Sequence, residues 1–198
     1  RNRRTVMKQG KIAMLVRIAL GAALITVCSW FAIPYPASDI SFTLQTFAVF
    51  AIAGLLGWRA GCASVLVWIA LGACGVPVFS GFSNLYALIA KPSAGYVVGF
   101  LFIALIVGMF AERFGRRLWS LAAGMVLGLL VCYFFGTAWF VIRYASVNGA
   151  IALGSVLGMC VVPYLPVDAA KIVLAVILVN RIYPLLARGG KKTERAAE

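Results

Sequence analysis

Residues 94–117 read AGYVVGFLFIALIVGMFAERFGRR. From Ala94 to Ala111 there is no charge, and then Glu112, Arg113, Arg116 and Arg117 arrive together. A transmembrane helix needs about 20 predominantly apolar residues, with a range of about 17–25. Lys and Arg gather beside the cytoplasmic ends of such helices. The stretch therefore reads as one membrane span and the turn that follows it.

Working outward, Leu118–Phe135 is a second run of this kind, and Val167–Leu186 is another before a basic tail from Arg188 to Arg195. Upstream, Ile12–Ile33 is a full-length candidate. Its basic flank (Arg1, Arg3, Arg4, Lys8, Lys11) resembles that of a signal peptide, but Pro34-Tyr35-Pro36 stands where a small-residue cleavage site would be, so a retained span is expected. Phe42–Leu56 and Ala60–Ala73 are each short for a span, and Gly57-Trp58-Arg59 joins them, which suggests tilted helices in a tight hairpin. Gly149–Val162 is apolar but only about 14 residues long, a length suited to a re-entrant or interfacial helix. The expected fold is an all-α bundle of six transmembrane helices with that short helix before the last span. Residues 1–198 are expected to form one integral membrane domain.

Composition agrees. The chain has 198 residues, 64% hydrophobic and 12% charged, where a soluble domain carries about 25% charged residues. Net charge is +13, from 18 basic and 5 acidic residues. The basic residues flank apolar segments, so they are read as topology signals and contacts with anionic lipid rather than as a nucleic-acid surface. With six spans, Arg1, Arg3, Arg4, Lys8, Lys11, Arg59, Arg113, Arg116, Arg117, Arg188, Lys191, Lys192 and Arg195 fall on one side. Lys91 and Arg143 fall on the other, with Lys171 just inside the last helix. Both termini are expected in the cytoplasm, and the protein in the cell inner membrane.

Function is then sought on the opposite side. Its connections, Pro34–Ser41, Gly75–Ser93 and Gly136–Pro166, hold most of the prolines and the polar residues that topology leaves unexplained. Asp168 and Lys171 sit at i and i+3 at the start of the last helix and share a face. Intramembrane charges usually line a pathway or pocket, although a local ion pair at the interface, with Lys171 reaching outward, fits the spacing equally well. Thr43 and Gln45 could bond between helices. Asn84, Tyr86, Lys91 and Tyr96 add donors and acceptors at one depth.

Several activities are disfavoured. There is no histidine, no Cys-x-x-Cys and no P-loop run, and the five cysteines (Cys28, Cys62, Cys74, Cys132, Cys160) lie scattered in apolar stretches. Neither an enzyme, a metal centre nor a cofactor is expected, and a chain without its own ATP site that drives uphill transport must draw energy from elsewhere.

Five strings in register now point to a family: Phe42-Thr-Leu-Gln45; Gly54-Leu-Leu-Gly57; Leu71-Gly-Ala-Cys-Gly75-Val-Pro77-Val-Phe79; Pro92-Ser-Ala-Gly95-Tyr96-Val-Val-Gly99-Phe100; and Leu165-Pro-Val-Asp168-Ala-Ala-Lys171. From about Ala32 to Ile182 the chain resembles the BioY family, the biotin-binding S components of energy-coupling-factor (ECF) transporters. The resemblance implies a six-helix S-component fold, with biotin held near the outer face under the loop after the third helix. It implies a site containing Asp168 and Lys171, with Asn84 and Tyr96 as companions; Lys91, Gln45 and Phe79 are further candidates for contact with the substrate. It also implies a membrane scaffold subunit and two ATPase subunits, contacted through a small-residue face such as Ala19 and Ala23. The segment Phe82–Pro92 departs from the glycine-rich sequence of many relatives. The alternative is a solitary or ion-coupled secondary transporter for biotin or another vitamin; against it, Asp39, Glu112 and Asp168 fall near span ends rather than deep in the bundle.

Overall fold

The computed structural model describes the backbone of residues 2–35, 38–149 and 152–195, with the side chains at 1–10, 35–39, 147–148, 150–151, 153 and 187–198 outside the description. The terminal basic clusters, apart from Lys11, and the side chain of Asp39 lie there. The elements in chain order are α1 (Asn2–Trp30), β1 (Ala32–Tyr35), β2 (Ser38–Thr43), α2 (Gln45–Ala73), α3 (Leu85–Ile89), α4 (Gly95–Arg113), α5 (Leu118–Asn148), α6 (Leu153–Cys160) and α7 (Leu165–Arg195). Short 3-10 turns at Pro92–Ala94 and Val162–Tyr164 lead into α4 and α7.

Among the described residues, five helical segments are long and apolar enough to cross a membrane, with mean hydropathy from 1.6 to 2.4. They are Lys11–Trp30, Gln45–Ala73, Pro92–Arg113, Leu118–Ser146 and Gly154–Leu186. Large apolar side chains such as Leu15, Leu130, Phe134 and Leu174 stay exposed on the outside of the bundle. An apolar exterior around an apolar core suits lipid, not water. This is a multi-pass membrane protein.

The two short segments expected before and after Gly57 are one continuous element, α2, interrupted at Gly57 (φ 83, ψ 178). The arms fold back on each other: a Cβ at Gly61 would lie 3.1 Å from the Ala53 Cα, whereas eight residues of straight helix span about 12 Å. Only glycine takes this φ without strain. The bend is held from the α4–α5 turn. Arg116 donates through Nε to the Gly54 carbonyl at 2.8 Å and through Nη2 to the Leu55 carbonyl at 3.3 Å, satisfying the end of the first arm. Glu112 accepts from the Trp58 N–H at 3.2 Å at the start of the second arm. A cation at a helix C-terminus and an anion at an N-terminus both complement the backbone dipoles.

Three further features differ from the sequence reading. First, β1 and β2 form an antiparallel ribbon, pairing Ala32 with Thr43 and Ile33 with Phe42, so the chain is mostly rather than wholly helical. Prolines at an edge are compatible with a two-stranded ribbon, where no further ladder is needed. Second, α5 does not stop at Phe135 but runs to Asn148. Gly136 is no terminator: any side chain there would collide with the ring of Tyr96. At 31 residues α5 is about 46 Å long, more than the ~30 Å hydrocarbon core. Third, among the described residues of the apolar Gly149–Val162 segment the α-helix is eight residues long, α6.

Close approach of α4 and α5 rests on glycines in both helices. A Cβ on Gly99 would sit 2.7 Å from the Cys132 Cα, and one on Gly128 would sit 3.2 Å from the Ile103 Cα. Among the described residues, a Cβ on Gly154 or Gly158 would by contrast meet nothing within 4 Å.

Candidate functional site

The expected outer connections converge on a cavity of about 370 Å³. The β1–β2 ribbon contributes Pro34, Ile40 and Ser41, the loop after α2 contributes Phe79 and Gly81, and Cys160 and Tyr164 come from the approach to α7. The walls are completed by the start of α2, the first turns of α4, the middle of α5 and the first turns of α7.

Asp168 and Lys171 form the polar floor. Both line the cavity, and they are only 5% and 7% exposed, which rules out a lysine reaching to the interface. Lys171 Nζ donates to Asp168 Oδ1 at 2.7 Å. Tyr133, on α5, donates its hydroxyl to Asp168 Oδ2 at 2.6 Å. The carboxylate thus has a charged and a neutral donor, one on each oxygen. A buried pair is tolerable when hydrogen bonds complete it, and removing one member costs about 3–5 kcal/mol. Lys171 has three N–H donors, of which Asp168 accepts one.

Tyr96 lies on the wall, its hydroxyl donating to the Cys160 carbonyl at 3.3 Å. Tyr164 donates to the Ile40 carbonyl and packs on Phe42 at 4.6 Å between ring centroids, tying the ribbon to the α7 approach. Phe79 is fully buried and meets Trp68 edge-on at 4.5 Å. Its backbone exchanges hydrogen bonds with Ser83 at 3.0 and 3.3 Å, and Trp68 holds the Val78 carbonyl at 3.1 Å. The loop over the cavity is therefore pinned to α2. Lys91 is exposed at the rim; its carbonyl accepts from Trp139 at 3.2 Å, and the neighbouring Ala90 carbonyl accepts from Arg143 at 3.2 Å. The extension of α5 that the sequence reading took for loop is what holds this rim.

Of the residues singled out in the sequence, Asp168, Lys171, Tyr96, Lys91, Gln45, Thr43 and Phe79 meet in this one cavity. Asn84 does not line it: its side chain caps α3, accepting from the Ala87 N–H at 3.0 Å. Tyr86 is 72% exposed and also lies outside. Ala19 and Ala23 are exposed on α1 and do not line the cavity. Sequence reasoning missed Tyr133 and Tyr164. The available signal was a phenol inside an apolar span, since a buried tyrosine hydroxyl needs a partner.

The chemistry is specific in outline: a mostly apolar, drug-sized chamber with a few convergent polar groups, the usual form of a small-molecule site. Fold and cavity together define a multi-pass membrane protein with a small-molecule chamber at one end of its bundle. The chain belongs to the BioY family, whose model matches residues 3–188. It is 34% identical over 173 residues to the "Biotin transporter BioY" of Thermotoga maritima, covering 86% of this chain and 96% of that protein. A "Biotin transporter BioY" of Rhizobium etli is 31% identical, with 88% and 93% covered. The fold of this chain is similar to the crystal structure of the S-component for biotin from an ECF-type ABC transporter, with TM-score 0.76, 26% identity, and 88% of this chain and 92% of that chain covered.

Proposed function

We propose that this protein is the biotin-binding membrane subunit of a biotin uptake system, a transport protein rather than an enzyme. The observation that carries this is the cavity floor: an apolar chamber ending in the Tyr133–Asp168–Lys171 group. Biotin has an apolar bicyclic ring and alkyl chain, a ureido group with donors and an acceptor, and a carboxylate. A chamber of this composition suits such a molecule. Asp168, Lys171, Tyr96, Gln45, Phe79 and, at the rim, Lys91 are the ligand contacts in this reading, and Asn84 acts by shaping α3.

Transport is energised by a scaffold subunit and two ATPase subunits of the ECF type. Ala19 and Ala23 lie on the outward face of α1, the span with the smallest buried share, which suits a helix that packs against another membrane subunit. Six crossings follow if each arm of α2 counts separately, with α6 at the interface. Both termini then lie in the cytoplasm, in the inner membrane, and the whole chain acts as one domain. Mass spectrometry of small molecules co-purifying with the detergent-extracted protein tests the substrate: biotin is expected, and a different vitamin or none would overturn the reading.

A further inference from the structure

Gln45 opens α2 and lines the cavity, yet it is 6% exposed and its amide is bonded on both sides. Thr43 Oγ1 donates to Gln45 Oε1 at 3.2 Å, and Gln45 Nε2 donates to Ser29 Oγ at 2.8 Å. Ser29 is fully buried on α1, and its own hydroxyl proton goes to the Ile25 carbonyl at 2.9 Å. A serine hydroxyl has one proton, so with it placed on Ile25 the Ser29 oxygen accepts. The amide nitrogen of Gln45 then faces Ser29 and the oxygen faces Thr43. Without these neighbours the two ends of the amide would be interchangeable.

We infer that Ser29 and Thr43 are positioning residues that lock the Gln45 amide in one orientation, leaving one N–H and one carbonyl lone pair for the transported molecule. This rests on the biotin-binding reading above and adds a requirement to it. A ligand group with both an N–H and a C=O, such as a cyclic urea, satisfies both remaining valences of Gln45. A carboxylate, which only accepts, satisfies one of them. Ser29 also ties the cavity wall to α1, so the ligand contact and the first helix share a hydrogen-bonded chain from Ile25 to Thr43.

The test uses the full-length protein in detergent with glutamine ¹⁵N-labelled at the side-chain amide. The sequence contains two glutamines, Gln9 and Gln45, so a Gln45→Met variant assigns the signals. Ser29→Ala should move both Gln45 Nε2–H signals in ligand-free protein, and Ser29→Thr, which keeps an acceptor, should restore them. Unmoved signals in Ser29→Ala would overturn the inference, whatever the protein binds. In biotin titrations Ser29→Ala should lose roughly 2- to 10-fold in affinity, the worth of one hydrogen bond. The same substitution should cost nothing further in Gln45→Met, because Ser29 acts through Gln45. An equal loss in both backgrounds would mean that Ser29 only packs the bundle. Absence of biotin binding in the wild type would defeat the substrate assignment, while the ligand-free spectra would still decide whether Ser29 holds the Gln45 amide.

Discussion

The Tyr133 hydroxyl lies 2.6 Å from Asp168 Oδ2, joining the middle of α5 to the first turn of α7 across the cavity floor. Lys171 occupies the other oxygen, so the carboxylate can be addressed by a ligand only through lone pairs these two donors leave. Hydrogen bonds to charged groups contribute about 1.5–3 kcal/mol each. Tyr133→Phe should therefore lower stability by about that amount in the ligand-free protein, and weaken biotin binding as Asp168 shifts. Thermal unfolding followed in detergent, with and without biotin, separates the two effects.

The ion pair itself makes a sharper prediction. Asp168→Asn or Lys171→Met alone leaves a buried charge without its partner and should destabilise the fold by about 3–5 kcal/mol. The combined variant removes both charges and should recover much of that stability. It should not recover biotin binding. A double variant that binds like the wild type would reduce the pair to a structural device.

At the far end of α4, Arg116 carries the bend in α2. Besides its two backbone bonds, its guanidinium lies 3.7 Å from the Tyr183 ring centroid, and its carbonyl accepts from Asn180 at 3.2 Å. Arg116→Lys keeps the charge but loses the planar fork, and should cost about 1–3 kcal/mol of stability as a carbonyl goes unpaired. Gly57→Ala should be worse, because a side chain at φ 83 is strained and would also run into Glu112. Thermal midpoints of purified variants check the order wild type, Arg116→Lys, Gly57→Ala.

Partner contact and topology are tested in cells. Ala19→Trp with Ala23→Trp should abolish energised uptake while leaving biotin binding intact, since both positions face outward. Loss of binding and uptake together would mean the face packs the bundle instead. A reporter inserted near Ser83 should read external and one fused after Glu198 cytoplasmic.

Much of this fold was legible because hydropathy reports membrane spans directly: the run Ala94–Ala111 became α4, Gly95–Arg113. The end of α5 was not, because Gly136 and the mixed Thr137–Arg143 stretch look like a loop when their partners are unseen. Gly136 is small to admit the Tyr96 ring, and Trp139 and Arg143 are polar at their tips to hold the rim carbonyls. Arg116 was legible only as a topology charge, since nothing local says that its fork reaches Gly54. The i, i+3 spacing brought Asp168 and Lys171 together, but Tyr133, 35 residues away from Asp168, is joined to them only by packing. Asn84 fits the opposite case: a polar residue in a candidate loop that serves the local helix instead of the cavity.

The central claim is that the Asp168–Lys171 cavity holds biotin, and calorimetric titration of biotin into purified wild type, Asp168→Asn and Lys171→Met tests it most directly, with each variant first shown to be folded. At about 1.5–3 kcal/mol per charge-assisted bond, each substitution should weaken binding roughly 10- to 100-fold. Wild-type affinity in both folded variants would contradict the account and remove this pair from the site.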